Sequence, residues 1–111
     1  MDKVLDDVRA EWARADGIHG DGLAMPLIIK GDWVDVHDEY GIRTEARSKM
    51  VYKRAAIGGN VTHMHVISEE ISKVTEALFK GDIDHAYTEA IQSAAMFAKL
   101  ARAIDHKRKT R

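Results

Sequence analysis

The sequence contains no cysteine, which excludes disulfides, thiolate metal sites and thiol nucleophiles together. Proline occurs once, at Pro26. No apolar run is long enough to span a bilayer and no signal-peptide pattern opens the chain, so a cytoplasmic location is expected. Neither sign of charge dominates, because 17 Lys and Arg nearly cancel 18 Asp and Glu. That balance gives no reason to expect a membrane or nucleic-acid partner. None of the six histidines has a partner at a recognised zinc spacing. At 111 residues the chain is expected to form one domain, large enough for a core but small enough to be helped by oligomerisation.

What remains is rich in helix formers. Val4, Leu5, Val8 and Trp12 recur at helical spacing, with Asp2 placed to cap them, and predict a helix over residues 2–14. Residues 15–26 hold three glycines and the proline and read as a loop. Residues 27–40 read as irregular or short helical structure. Helices follow over 42–57, 62–79 and 83–105. Gly58-Gly59 ends the first, Thr62 and Gly81 cap the second, and Asp82 or Asp84 caps the third. The tail from His106 is basic and without apolar residues, so it is expected to be disordered.

The last two helices carry the informative contradiction. Val66, Ile67, Ile71, Val74, Ala77 and Leu78 form one stripe of the first, and Glu70 falls inside it, whereas Glu69 and Glu76 fall on the opposite, solvated side. In the second, Glu89 lies near Ser93 and Met96 on a surface with few polar positions. A carboxylate removed from water costs several kcal/mol unless it binds a proton, pairs with a base or coordinates a metal. Charge is also segregated. Residues 41–61 hold five bases and one acid, and residues 66–89 six acids and two bases. The basic run is either a solvated face or a phosphate clamp beside an acidic metal site.

The pattern THMHVISEEISKVTEAL, a short turn, then YTEAIQSAAMFAKLARAID resembles the MazG-like all-α nucleoside triphosphate pyrophosphohydrolases, in particular their short phage forms. A weaker echo lies in VRAEWARADGIHGD near the start. The resemblance implies an oligomeric four-helix bundle that hydrolyses a nucleotide to its monophosphate and pyrophosphate with Mg²⁺, or Mn²⁺ in its place. In that family the first helix carries Glu-Glu-x-x-Glu and the second Glu-x-x-Asp. Here Glu69, Glu70 and Lys73 stand at the first motif, and Glu89 and Gln92 at the second. Side chains three apart share a helix face, so two antiparallel helices can aim such groups at one ion.

The metal ligands implied are Glu69, Glu70, Glu89 and Gln92, with Glu70, Glu89 and Lys73 in catalytic roles and Arg47, Lys53, Arg54 and Lys73 on the phosphates. Trp12 could stack a base or simply fill a core. Lys73 replaces the third glutamate and Gln92 the aspartate of the motifs, which leaves three outcomes open. The site may retain one Mg²⁺, bind nucleotides without hydrolysis, or be an ion network that sets helix register in an interaction module. The last helix is apolar on more sides than a monomer of this size can cover, so a homodimer or homotetramer is expected.

Overall fold

A computed structural model describes residues 2–111, and the side chain of Asp2, expected to cap the first helix, lies outside what it describes. The described residues form five helices: α1 (Asp2–His19), α2 (Trp33–Tyr40), α3 (Glu45–Ile57), α4 (His63–Lys80) and α5 (Ile83–Thr110). There is no strand among the described residues. Among the described residues no helix is long and apolar enough to cross a membrane. The chain divides into two compact units: residues 27–97, and residues 1–26 together with 98–111.

In the larger unit, α4 is the central helix. Ile67, Ser72, Thr75 and Ala77 are all buried, and at about 100° per residue they point to different sides. α4 is therefore packed on more than the single stripe expected. Against α3 it presents hydroxyls: Ser72 Oγ donates to the Ser68 carbonyl, and the Ser48 and Ser72 hydroxyls meet at 2.7 Å in a buried contact. Small side chains let the two backbones approach closely, and the hydrogen bond satisfies groups that would otherwise be costly to bury. The carboxylate of Glu76, expected to be solvated, accepts from the Glu45 backbone N–H instead. That N–H belongs to the first turn of α3, where a carboxylate meets both an unsatisfied donor and the positive end of the helix dipole.

The caps follow local chemistry. Thr62 accepts from the N–H of His65, and the His65 ring returns a contact to the Thr62 backbone, closing a capping box at the start of α4. Gly81, at φ 74°, ends it in the left-handed conformation that a side chain would strain. Asp82 then accepts from the His85 N–H and caps α5. Between residues 33 and 40, where the sequence pattern is weakest, Asp32 and Asp35 form a second capping box and hold α2. Within this unit α2 sets Trp33 against Phe79 of α4, ring centroids 5.0 Å apart. Buried apolar groups are few, Val36, Ile67, Ala77 and Ala86.

Three boundaries differ from expectation, the first being the start of α3, which Thr44 caps so that the helix begins at Glu45 rather than at residue 42. α1 runs through Ala15 and Gly17, assigned to the loop, and stops at Gly20 with φ 72°. Its interior glycine costs about 1 kcal/mol, which the continuing helical hydrogen bonds tolerate. The tail expected to be disordered is helical to Thr110, because Asp105 binds Arg108 at 2.7 Å and Lys109 at 3.0 Å one turn on. Those bases hold the Asp105 carboxyl down to about 2. A depressed carboxyl pKa stabilises the helix above the ordinary value of 3.8, and the effect is lost as pH falls through about 2. Asp105→Asn is expected to fray residues 106–110 at neutral pH, seen as faster amide exchange confined to that turn. Unchanged exchange there would show that the pairs do not hold the tail.

Candidate functional site

The α4–α5 hairpin brings Glu70 and Glu89 together. Glu89 is buried, 8% exposed, and the side chain of Glu70 is 13% exposed. The Glu89 carboxyl is close enough across the hairpin to raise the Glu70 pKa. Each has one oxygen engaged from its own helix. Lys73 Nζ lies 3.4 Å from Glu70 Oε1, one turn along α4, and His85 Nε2 lies 3.0 Å from Glu89 Oε1, one turn back on α5. The other oxygen of each, Oε2, is buried and finds no hydrogen-bond partner. A site with two inward carboxylate oxygens and no protein donor for either can share a proton or hold a cation.

The electrostatics agree with that geometry. Burial pushes the Glu70 carboxyl above the usual carboxylate range; the Lys73 ammonium offsets part of this and the Glu89 carboxyl adds to it. Burial also disfavours the charged form of Lys73, but the carboxylates of Glu70, Glu69 and Glu89 outweigh it and hold its pKa above the ordinary value. Lys73 therefore stays an ammonium. Its charge offsets part of the negative charge of Glu69, Glu70 and Glu89.

The other expected site residues are placed less directly. Glu69 is turned to Lys73, 3.7 Å from its Nζ, and its side chain is only 16% exposed rather than solvated. Gln92 is exposed on α5, three residues beyond Glu89 and so on the same helix face. Arg47, Lys53 and Arg54 are exposed on α3 and line a groove with Met50, Val51 and Ile57. Ser48 and the Glu45 backbone mark the α3 side that meets α4, at Ser72 and Glu76, and Glu70 lies about 160° round α4 from Ser72. Within one chain, the basic face of α3 and the carboxylate pair thus lie on different sides of α4. Trp12, 71% exposed, belongs to α1 in the other unit.

Among the described residues no three acidic or imidazole side chains converge as a metal-binding group. Two do, and Mg²⁺ fits such a pair, because it keeps several waters and is commonly held by one or two carboxylates together with substrate phosphates. Glu70 Oε2 and Glu89 Oε2 are the atoms available for it. Sequence reasoning found no zinc-type partner for any histidine and gave His85 no role. Its i, i+4 spacing to a buried glutamate was the signal that it has one. No protein-family model, no curated protein and no solved structure matches the chain.

Proposed function

We propose that the chain is a MazG-like nucleotide pyrophosphohydrolase that cleaves a ribo- or deoxyribonucleoside triphosphate, or a related nucleotide, to monophosphate and pyrophosphate at the α4–α5 hairpin. The observation that carries this reading is that two carboxyl groups acting on one another, Glu70 and Glu89, each keep a buried oxygen, Oε2, without a hydrogen-bond partner. Glu70 and Glu89 would hold Mg²⁺ or Mn²⁺, with the Gln92 amide oxygen as a neutral ligand and Glu69 behind Lys73. The ion, when bound, supplies Lewis-acid stabilisation of phosphate charge.

The chain's own groups provide the rest. A carboxylate oxygen of Glu70 or Glu89 not engaged with the ion can accept the proton of a water as the water oxygen bonds to the α-phosphorus and the bond from that phosphorus to the bridging oxygen of the pyrophosphate breaks. Lys73 remains cationic and can shift from its glutamates to a phosphate as charge develops on the departing pyrophosphate. The test is pyrophosphate release from a panel of ribo- and deoxyribonucleoside triphosphates with Mg²⁺ or Mn²⁺. Metal-dependent release supports the reading, and none from any member of the panel sinks it.

A second reading has its own observation. Lys73 is already paired with both Glu69 and Glu70, and a cation so held opposes a divalent ion in the same place. Under this reading the protein binds the nucleotide without hydrolysis. Equilibrium binding of a triphosphate without release of pyrophosphate would select it.

The partner expected besides a nucleotide is a second copy of the chain, as homodimer or homotetramer, in the cytoplasm of a bacterial or phage-infected cell. In the smaller unit, α1 and the end of α5 bury Val4 but leave Leu5, Val8, Trp12 and Ile104 exposed. Two helices alone cannot close a core, and two such pairs together make a four-helix packing. Lys3, Asp7, Glu11 and Arg108 line the same groove, with Lys3 paired to Asp7 at 2.9 Å. Val8→Glu is expected to weaken self-association by about a hundredfold, the cost of leaving a charge against a dry apolar surface. Sedimentation at micromolar concentration reads the result, and a wild-type monomer would overturn the assignment.

A further inference from the structure

We infer that His85 is the positioning residue of the carboxylate pair: its Nε2–H pins Glu89 Oε1, so that Glu89 Oε2 is presented towards Glu70. The inference rests on the metal-site reading above and names a residue that the motif resemblance does not include.

The argument starts at the cap. Asp82 accepts from the His85 backbone N–H at 3.1 Å, which places His85 in the first turn of α5, with its ring one turn before Glu89. The ring then lies between two carboxylates. Nε2 is 3.0 Å from Glu89 Oε1, and Nδ1 is 3.8 Å from Asp82 Oδ2. The first distance is a hydrogen bond and the second only an electrostatic contact. A donor on Nε2 is therefore the arrangement that satisfies Glu89, and the half-exposed ring can keep it at no burial cost.

Glu89 is nearly inaccessible, and its side chain has three rotatable bonds. Held at one oxygen, the carboxylate can no longer turn both oxygens away from Glu70, Lys73 and the hairpin interior. Lys73 makes the corresponding contact to Glu70 Oε1 on the facing helix. Each glutamate is thus held at Oε1 by a residue on the turn side of the hairpin, Lys73 one turn after Glu70 and His85 one turn before Glu89. Outer partners of this kind orient the groups that bind an ion, and their removal commonly costs ten- to a hundredfold in affinity.

The experiment is a Mn²⁺ titration of the metal-free full-length protein, followed by the electron paramagnetic resonance of free Mn²⁺, for wild type, His85→Phe and His85→Gln. Phenylalanine keeps a ring but has no donor; glutamine places an amide N–H near the position of Nε2. His85→Phe is expected to weaken Mn²⁺ binding by about tenfold or more, and His85→Gln to restore it to within about threefold of wild type. Circular dichroism and thermal melts of the metal-free proteins accompany the titration. Equal Mn²⁺ affinity in wild type and His85→Phe overturns the inference and leaves the metal site standing. Equal losses in both variants with lowered melting also overturn it, since the ring would then be holding the helix start rather than the carboxylate. Wild type that binds no Mn²⁺ overturns the metal site and this role together, a result distinct from the other two.

Discussion

Glu70→Ala and Glu89→Ala are each expected to abolish metal-dependent pyrophosphate release, lowering kcat/KM by at least about a hundredfold, and to remove Mn²⁺ binding in parallel. The two glutamates are the carboxyl groups that keep a buried oxygen without a hydrogen-bond partner among the described residues. Loss of either leaves one carboxylate, and one carboxylate with waters holds Mg²⁺ weakly. The cost should exceed the ten- to hundredfold typical of removing an outer partner, because a ligand itself is lost. Glu69→Ala is the informative comparison. Glu69 is turned to Lys73, so its removal should leave most of the binding in place. If Glu69→Ala were as damaging as Glu70→Ala, the pair would have to be redrawn as a triad. If neither Glu70→Ala nor Glu89→Ala changed turnover, the chemistry would lie elsewhere in the chain.

The same pair makes the second large prediction, on stability. In the absence of metal, Glu70→Gln is expected to stabilise the protein at neutral pH by about 1–2 kcal/mol, raising Tm by several degrees. Burial raises the Glu70 pKa, so the folded state binds this proton more tightly than the unfolded state does. The stability it contributes is full below the ordinary carboxyl value of 4.5 and is lost as pH rises through the elevated folded value. The advantage of Glu70→Gln over wild type should therefore be small near pH 4 and grow towards neutrality. Removing one member of a buried ion pair usually destabilises, but Lys73 keeps Glu69 at 3.7 Å and is 24% exposed, so it is not left stranded. Saturating Mn²⁺ should reverse the order, because it stabilises only the protein that binds it. Thermal melts in chelator and in Mn²⁺, from pH 4 to 8 at one protein concentration, measure both. A difference that does not change with pH would show that Glu70 is ionised in the fold without strain.

These two predictions describe opposite sides of one arrangement. A carboxylate pair kept in a dry hairpin costs folding energy and is suited to gaining it back from a bound cation. A purely structural ion network would keep Glu70 and Lys73 paired and lose stability on Glu70→Gln.

Much of this was legible before any coordinates. The helices 2–14, 42–57, 62–79 and 83–105 follow from period and cap chemistry, and both Thr62 and Gly81 act where expected. Local signals suffice there, since a cap involves residues three apart and a left-handed stop involves one. The embedded positions of Glu70 and Glu89 were legible for the same reason, because a polar residue on an apolar stripe is visible by angle alone. The short helix α2 was harder. Its eight residues span too few turns for a period, and its signal was the Asp32–Asp35 capping box. The helical tail was missed because a run of bases looks solvated until Asp105 is counted one turn before it.

Sequence by itself determined the class of the protein, an all-helical chain without thiol chemistry, and marked two glutamates as misplaced for a simple core. Period, caps and composition are properties of neighbours along the chain, and helices are built from neighbours. Tertiary structure alone decided which surfaces meet. It joined α3 to α4 through Ser48 and Ser72, gave Glu76 to the start of α3, set the basic side chains of α3 on another side of α4 from the carboxylates, and brought Glu89 near Glu70. Those outcomes depend on the angle at which one helix packs on the next, set by small side chains and buried hydrogen bonds between residues as many as 31 positions apart.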